Sequence, residues 1–174
     1  ELGRDRGVLG LVQANREVYQ LLKDGIRVPV EGDDGEQRVE TVRVIDWATP
    51  ANNDFLLVSQ LWVTGVMHTR RADLVGFVNG LPLIFIELKN VHVEVRQAYE
   101  KNLQDYKAYI PHLFHHNAFL ILANGVEGRI GTLTSRWEHF HQWKRLAEGE
   151  VGVVDMETLL RGVCDKRSLL DIFE

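Results

Sequence analysis

Three ionisable residues carry the chemistry this sequence can offer: Asp73, Glu87 and Lys89. In an extended segment side chains alternate between faces, so Leu83, Phe85, Glu87 and Lys89 share one side of 83–89, and Ile84, Ile86 and Leu88 share the other. A carboxylate and an ammonium therefore end an otherwise apolar strand on one face. Buried without partners, such charges cost several kcal/mol each, so the site calls for a cation and a polar cleft. Two carboxylates supply hard oxygen ligands of the kind Mg²⁺ takes, with the Leu88 carbonyl as a further ligand and Mn²⁺ as the expected substitute. A magnesium ion there would activate water and neutralise charge on a phosphate, with Lys89 orienting the attacking water. That chemistry is metal-assisted hydrolysis of a phosphodiester. On spacing alone, a salt bridge at a strand end explains the same residues.

The pair Asn79-Gly80 is the strongest hairpin signal here, with Asp73–Val78 and Leu83–Lys89 as its arms. A two-residue loop would set Asp73 opposite Ile86, on the wrong face. A three-residue loop, Val78-Asn79-Gly80 with a bulge at Gly80, instead sets Asp73 opposite Phe85 and diagonal to Glu87, and that bulge is the expectation.

Around this hairpin, periodicity predicts a helix over Val8–Lys23 stopped at Gly25, a turn at Asp33-Asp34-Gly35, and strands over Val39–Ile45 and Phe55–Val63 separated by a loop at 50–53. A helix over Glu94–Ile110 ends at Pro111, followed by strands at Ala118–Ala123 and Glu127–Ile130. Trp137, Phe140 and Trp143 at helical spacing predict one more helix. After a linker, Ala147–Gly152, come two short helices, Met156–Gly162 and Ser168–Phe173. The order implies an α/β fold with a mixed central sheet flanked by helices and a short helical C-terminal tail. Residues 1–146 are read as the domain, and 147–174 as linker and tail.

The chain has 174 residues and is 45% hydrophobic, enough for one domain with a real core. No stretch approaches the roughly 18 apolar residues of a membrane span, and one cysteine, Cys164, excludes an internal disulfide. A soluble, cytoplasmic protein is expected. The formal net charge of −5 argues against tight nucleic-acid binding, which draws on Lys and Arg at phosphates. Residues 66–109 nevertheless carry a net +1, leaving −6 to the rest.

The run from Arg70 to Leu83, RRADLVGFVNGLPL, followed by Ile86-Glu87-Leu88-Lys89-Asn90, resembles the N-terminal nuclease domain of type I restriction enzyme restriction subunits. Asn52-Asn53-Asp54-Phe55, the run from Asn124 to Gly131, and Leu159–Val163 with Leu170-Asp171 are similar to that family too. The resemblance implies a RecB-like PD-(D/E)xK fold, restriction-endonuclease-like, with Asp73 and Glu87 on metal and Lys89 in catalysis. It also implies a Gln-x-x-x-Tyr motif on the next helix. Here Tyr106 matches while Asn102 stands where Gln is expected, and Gln104, off that helix face, is a weaker substitute.

Arg70 and Arg71, before Asp73, are candidate phosphate contacts, the resemblance gives Asn102 and Tyr106 a DNA-positioning role with simple packing under the sheet as the alternative, and His68 is an accessory candidate. His112, His115 and His116 make a poor metal signature. No Gly-x-x-x-x-Gly-Lys-Ser/Thr motif is present, so ATP belongs to a motor domain that these residues do not contain. The implied assembly is a prokaryotic ATP-dependent translocase that cuts double-stranded DNA, working with its own C-terminal motor domains and with modification and specificity subunits. The alternatives are an inert docking module of the same fold or a free-standing nuclease such as a junction resolvase.

Overall fold

A computed structural model describes residues 1–32 and 35–174. Of the turn expected at Asp33-Asp34-Gly35, Asp33 and Asp34 lie outside the described residues. Five strands, β3 (Phe55–Thr64), β4 (Thr69–Val78), β5 (Leu81–Leu88), β6 (Phe119–Ala123) and β7 (Gly128–Gly131), form one sheet in the order β3-β4-β5-β6-β7. Only β5 and β6 run parallel. A parallel pair needs a long crossover, and 89–118 supplies it as a helical segment. The sheet is thus mixed, as expected.

The apolar residues of the strands divide between two layers. On one face Val75, Phe85, Leu120 and Leu122 meet the crossover, composed of α2 (Val95–Gln97), a π-helical stretch (Ala98–Leu103) and α3 (Gln104–Tyr109). On the other, Ile84, Ile86 and Ile121 meet Val18 and Leu22 of α1 (Leu11–Asp24), Leu159 and Val163 of α4 (Met156–Val163), and Leu169, Leu170 and Phe173 of α5 (Lys166–Phe173). The two C-terminal helices, read from sequence as a tail, are therefore part of the main core. Each opens on an aspartate cap: Asp155 accepts the Thr158 amide at 2.6 Å, and Asp165 the Arg167 and Ser168 amides at 3.1 Å.

Three expectations fail locally. The first strand expected, Val39–Ile45, is instead β2 (Gln37–Val42), paired with β1 (Ile26–Glu31) in a separate exposed two-stranded sheet. The Glu94–Ile110 helix is interrupted by the π-helical stretch, which a spacing of threes and fours does not reveal. The helix expected through Trp137, Phe140 and Trp143 is absent: a single 3-10 turn, Trp137–His139, leads to a bridge between Ile130 and His141. There Phe140 lies flat on Gly131, where an added Cβ would come within 2.8 Å of the ring. The aromatic spacing serves packing on β7 and not helical periodicity. Among the described residues no helix is long and apolar enough to cross a membrane.

Candidate active site

The β4–β5 hairpin turns through two residues, not three. Asn79 and Gly80 both take left-handed conformations, φ 49° and 81°, which a two-residue turn between right-twisted strands requires. Pairs Val78↔Leu81 and Phe77↔Pro82 follow, but the next pair is Gly76↔Ile84, so Leu83 is an extra residue in β5. The bulge expected at Gly80 is therefore absent, and a different one lies within β5 at Leu83. Leu83 leaves the face of Phe85 and joins Ile84 and Ile86 against the helices of the opposite layer, contrary to strict alternation. From there Val75↔Phe85 and Leu74↔Ile86 continue; the ladder ends at that pair, and Asp73 and Glu87 are the next residue on each strand.

At that end three groups meet. Asp73 Oδ2 accepts the Leu88 amide at 2.9 Å. Lys89 Nζ donates to Glu87 Oε1 at 2.6 Å, and the Lys89 amide donates to the Ala123 carbonyl at 2.8 Å, tying the end of β5 to β6. Glu87 is 2% exposed, and its second oxygen, Oε2, is buried with no hydrogen bond of good geometry; the Tyr106 hydroxyl, committed to the Arg71 carbonyl, lies close enough to act on the carboxyl without satisfying that oxygen. Burial pushes the Glu87 carboxyl above the usual carboxylate range; the Lys89 hydrogen bond pulls it back, and the Asp73 charge pushes it up again. Tyr106, on α3, packs edge-on against Phe85 with ring centres 5.1 Å apart, and its hydroxyl donates to the Arg71 carbonyl at 2.9 Å. Burial, with the nearby Glu87 and Asp73 charges, drives that hydroxyl's pKa upward, so it stays a donor.

An unpaired carboxylate oxygen in the core is costly, and facing a second carboxylate it is worse. A divalent cation between the two acids removes both penalties, so the donor set fits one. Among the described residues no group of three or more His, Cys, Asp or Glu side chains is gathered for a metal. A cation here would complete its shell with backbone carbonyl and water, the habit of Mg²⁺ and not of Zn²⁺.

The other candidates are placed differently. Arg70 makes a two-pronged ion pair with Asp105, Nη2 to Oδ1 at 3.0 Å, and lies over the Tyr109 ring, which engages its guanidinium within the protein. Nothing in the sequence marked Asp105 as its partner. Arg71 is exposed and sits over Trp62, 5.6 Å from the ring centre. His68 packs against Tyr109 at 4.5 Å, and Gln104 donates back to the Tyr99 carbonyl at 3.2 Å. Tyr106 is tied to the site strands, whereas Asn102 is half-buried within the π-helical stretch. His116 contacts the Leu2 carbonyl at 3.2 Å, remote in chain and in bonding from the acids.

Comparison with known proteins adds the lineage. Residues 2–139 match the family described as "Type I restriction enzyme R protein N terminus". The "Type I restriction enzyme HindI endonuclease subunit" of Haemophilus influenzae is 36% identical over 170 residues, covering 92% of this chain and 16% of the relative. The "Putative type I restriction enzyme MjaIXP endonuclease subunit" of Methanocaldococcus jannaschii is 28% identical over 146 residues, 80% of this chain and 14% of its own length. The "Type I restriction enzyme EcoprrI endonuclease subunit" of Escherichia coli is 29% identical over 107 residues, 60% of this chain and 33% of the relative. The chain spans a minor part of each of these relatives. With a mixed α/β sheet that holds paired acids at a hairpin's open end, and with a match over most of its length, this chain belongs to the family of type I restriction enzyme R protein N-terminal domains.

Proposed function

We propose that this chain hydrolyses DNA phosphodiester bonds with Mg²⁺, as the endonuclease part of a type I restriction subunit. The observation that carries the proposal is the buried, unpartnered Glu87 Oε2 on the strand neighbouring Asp73. Asp73, Glu87 and the Leu88 carbonyl would hold the ion, which when bound supplies charge neutralisation and activation of water. Glu87 keeps the Lys89 ammonium at the rim of the site, 17% exposed, where it can meet a scissile phosphate and the charge that builds on it. Tyr106 holds β4 from beneath through the Arg71 carbonyl, and Arg71, exposed, can reach phosphate from solvent.

The rest of the polypeptide would supply what these residues lack. A net charge of −5 gives little sequence-independent DNA affinity, so motor domains powered by ATP, together with modification and specificity subunits, would hold double-stranded DNA for cutting in a prokaryotic cytoplasm. Within the proposal, 1–146 form the nuclease and 147–174 lead toward the motor, anchored to the nuclease sheet by α4 and α5. The test is to place Asp73→Ala, Glu87→Ala or Lys89→Ala in the full-length complex and measure cleavage beside ATP hydrolysis. Cleavage is expected to vanish while ATPase persists; cleavage at the normal rate in the Asp73 or Glu87 variant rejects the assignment.

A further inference from the structure

Among the described residues, two other than glycine have left-handed backbones. Asn79 belongs to the hairpin turn; Gln60, φ 54°, sits in the middle of the ten-residue strand β3, where the chain does not turn. Left-handed backbone is disfavoured for any residue bearing a Cβ, and such outliers persist only where the surroundings impose them. Gln60 is exposed, so contacts of its own side chain do not explain the conformation.

Its position does. The ladder between β3 and β4 runs through Ser59↔Leu74 and Leu61↔Ala72, and the step between them, Gln60 facing Asp73, is not bridged. Around that step the faces of β4 change over: Ala72 and Val75, three residues apart, both enter the layer that packs on α3. Regular alternation would put them on opposite sides. Side chains of a regular strand stand perpendicular to the sheet and do not reach a neighbouring strand's amide. Asp73 does reach one, taking the Leu88 N–H at 2.9 Å, at the step where the faces of β4 change over. One residue before Ala72, the Tyr106 hydroxyl secures the Arg71 carbonyl of the same strand.

We propose that Gln60 is a positioning residue whose left-handed backbone opens the ladder at Asp73 and turns that carboxylate edgewise, onto the Leu88 amide and toward Glu87. The geometric claim stands by itself; its consequence for metal binding rests on the nuclease reading. Isoleucine, β-branched, strongly resists this conformation, while glycine adopts it freely.

The test uses the 174-residue chain with Gln60→Ile, and with Gln60→Gly as the variant that preserves the conformation. Two quantities are measured: hydrogen exchange at the Leu88 amide relative to Ile86, and Mn²⁺ affinity by calorimetry. Gln60→Ile is expected to speed Leu88 exchange selectively and to weaken Mn²⁺ binding, each by about tenfold, and Gln60→Gly to restore both. Leu88 protection equal to wild type in a folded Gln60→Ile protein overturns the inference. Should that variant not fold, Gln60→Ala gives the same readings at smaller size, and unchanged Leu88 protection there is equally decisive. If Leu88 responds as expected but the wild-type chain takes up no Mn²⁺, the nuclease reading fails and the positioning role stands.

Discussion

The two ends of the β4–β5 hairpin are built to opposite rules. At the closed end Asn79 meets its bonding capacity: Nδ2 donates to the Val44 carbonyl at 2.7 Å and to Asn53 Oδ1 at 2.8 Å, and Oδ1 accepts the Asp54 amide at 2.7 Å. Asn53 in turn bonds the Asp46 amide and carbonyl at 2.9 and 2.8 Å. At the open end a carboxylate almost wholly buried keeps one oxygen unpaired beside a second acid. Satisfied polar networks hold a fold in one arrangement, and unsatisfied ones mark where something else is meant to bind. The same two strands therefore carry a satisfied end and, six residues away along the chain from Asn79 to Asp73, the end at which we propose the chemistry lies.

Substitutions should separate the ends, and the largest effect belongs to the open one. Asp73→Ala or Glu87→Ala should abolish cleavage by the full complex, a loss of at least about 10³-fold, while lowering the melting temperature less than the closed-end change does. At the closed end the pattern inverts: Asn79→Ala removes three hydrogen bonds and forces alanine into a left-handed turn. It should cost about 2–4 kcal/mol in denaturant unfolding yet leave cleavage normal at permissive temperature. Loss of cleavage with full stability in Asn79→Ala would collapse the distinction.

A smaller effect concerns the charge of Glu87. Its folded pKa is raised, so the folded chain binds the extra proton more tightly than the unfolded one, and stability without metal falls as pH rises through the raised value. Glu87→Gln should remove that pH dependence and make the metal-free chain more stable at neutral pH. In wild type, added Mg²⁺ should raise the melting temperature more at neutral than at acidic pH, because it favours the ionised carboxylates. Thermal scans across pH with and without the ion read both effects. The smallest change is Asn102→Gln, which lengthens the amide on the π-helical stretch by one methylene; it should alter cleavage by no more than a few-fold and leave melting unchanged.

Much of the proposed site was legible in advance because its chemistry is local. Asp73, Glu87 and Lys89 are identifiable by type, and the apolar run from Leu83 to Leu88 announces a buried strand whatever surrounds it. The order of elements from β3 through the crossover helix to β7 could be read the same way, whereas β1 was not anticipated. Less legible were the partners: Arg70 looks free beside Asp73 in the sequence, and only the packing of α3 brings Asp105 to it. The aromatic spacing from Trp137 to Trp143 misled because ring packing on β7 imitates helical periodicity.

Which residues could do chemistry, and on what kind of strand, was decided by the sequence itself, since side-chain identity and alternating hydrophobicity need no distant contact. Whether the two acids meet was decided by tertiary structure. The face on which Asp73 lies depends on the parity of every residue between it and Glu87, and that parity changed at Leu83, drawn with Ile84 into the layer formed by α1, α4 and α5. Those helices lie far away along the chain, and no local rule counts them.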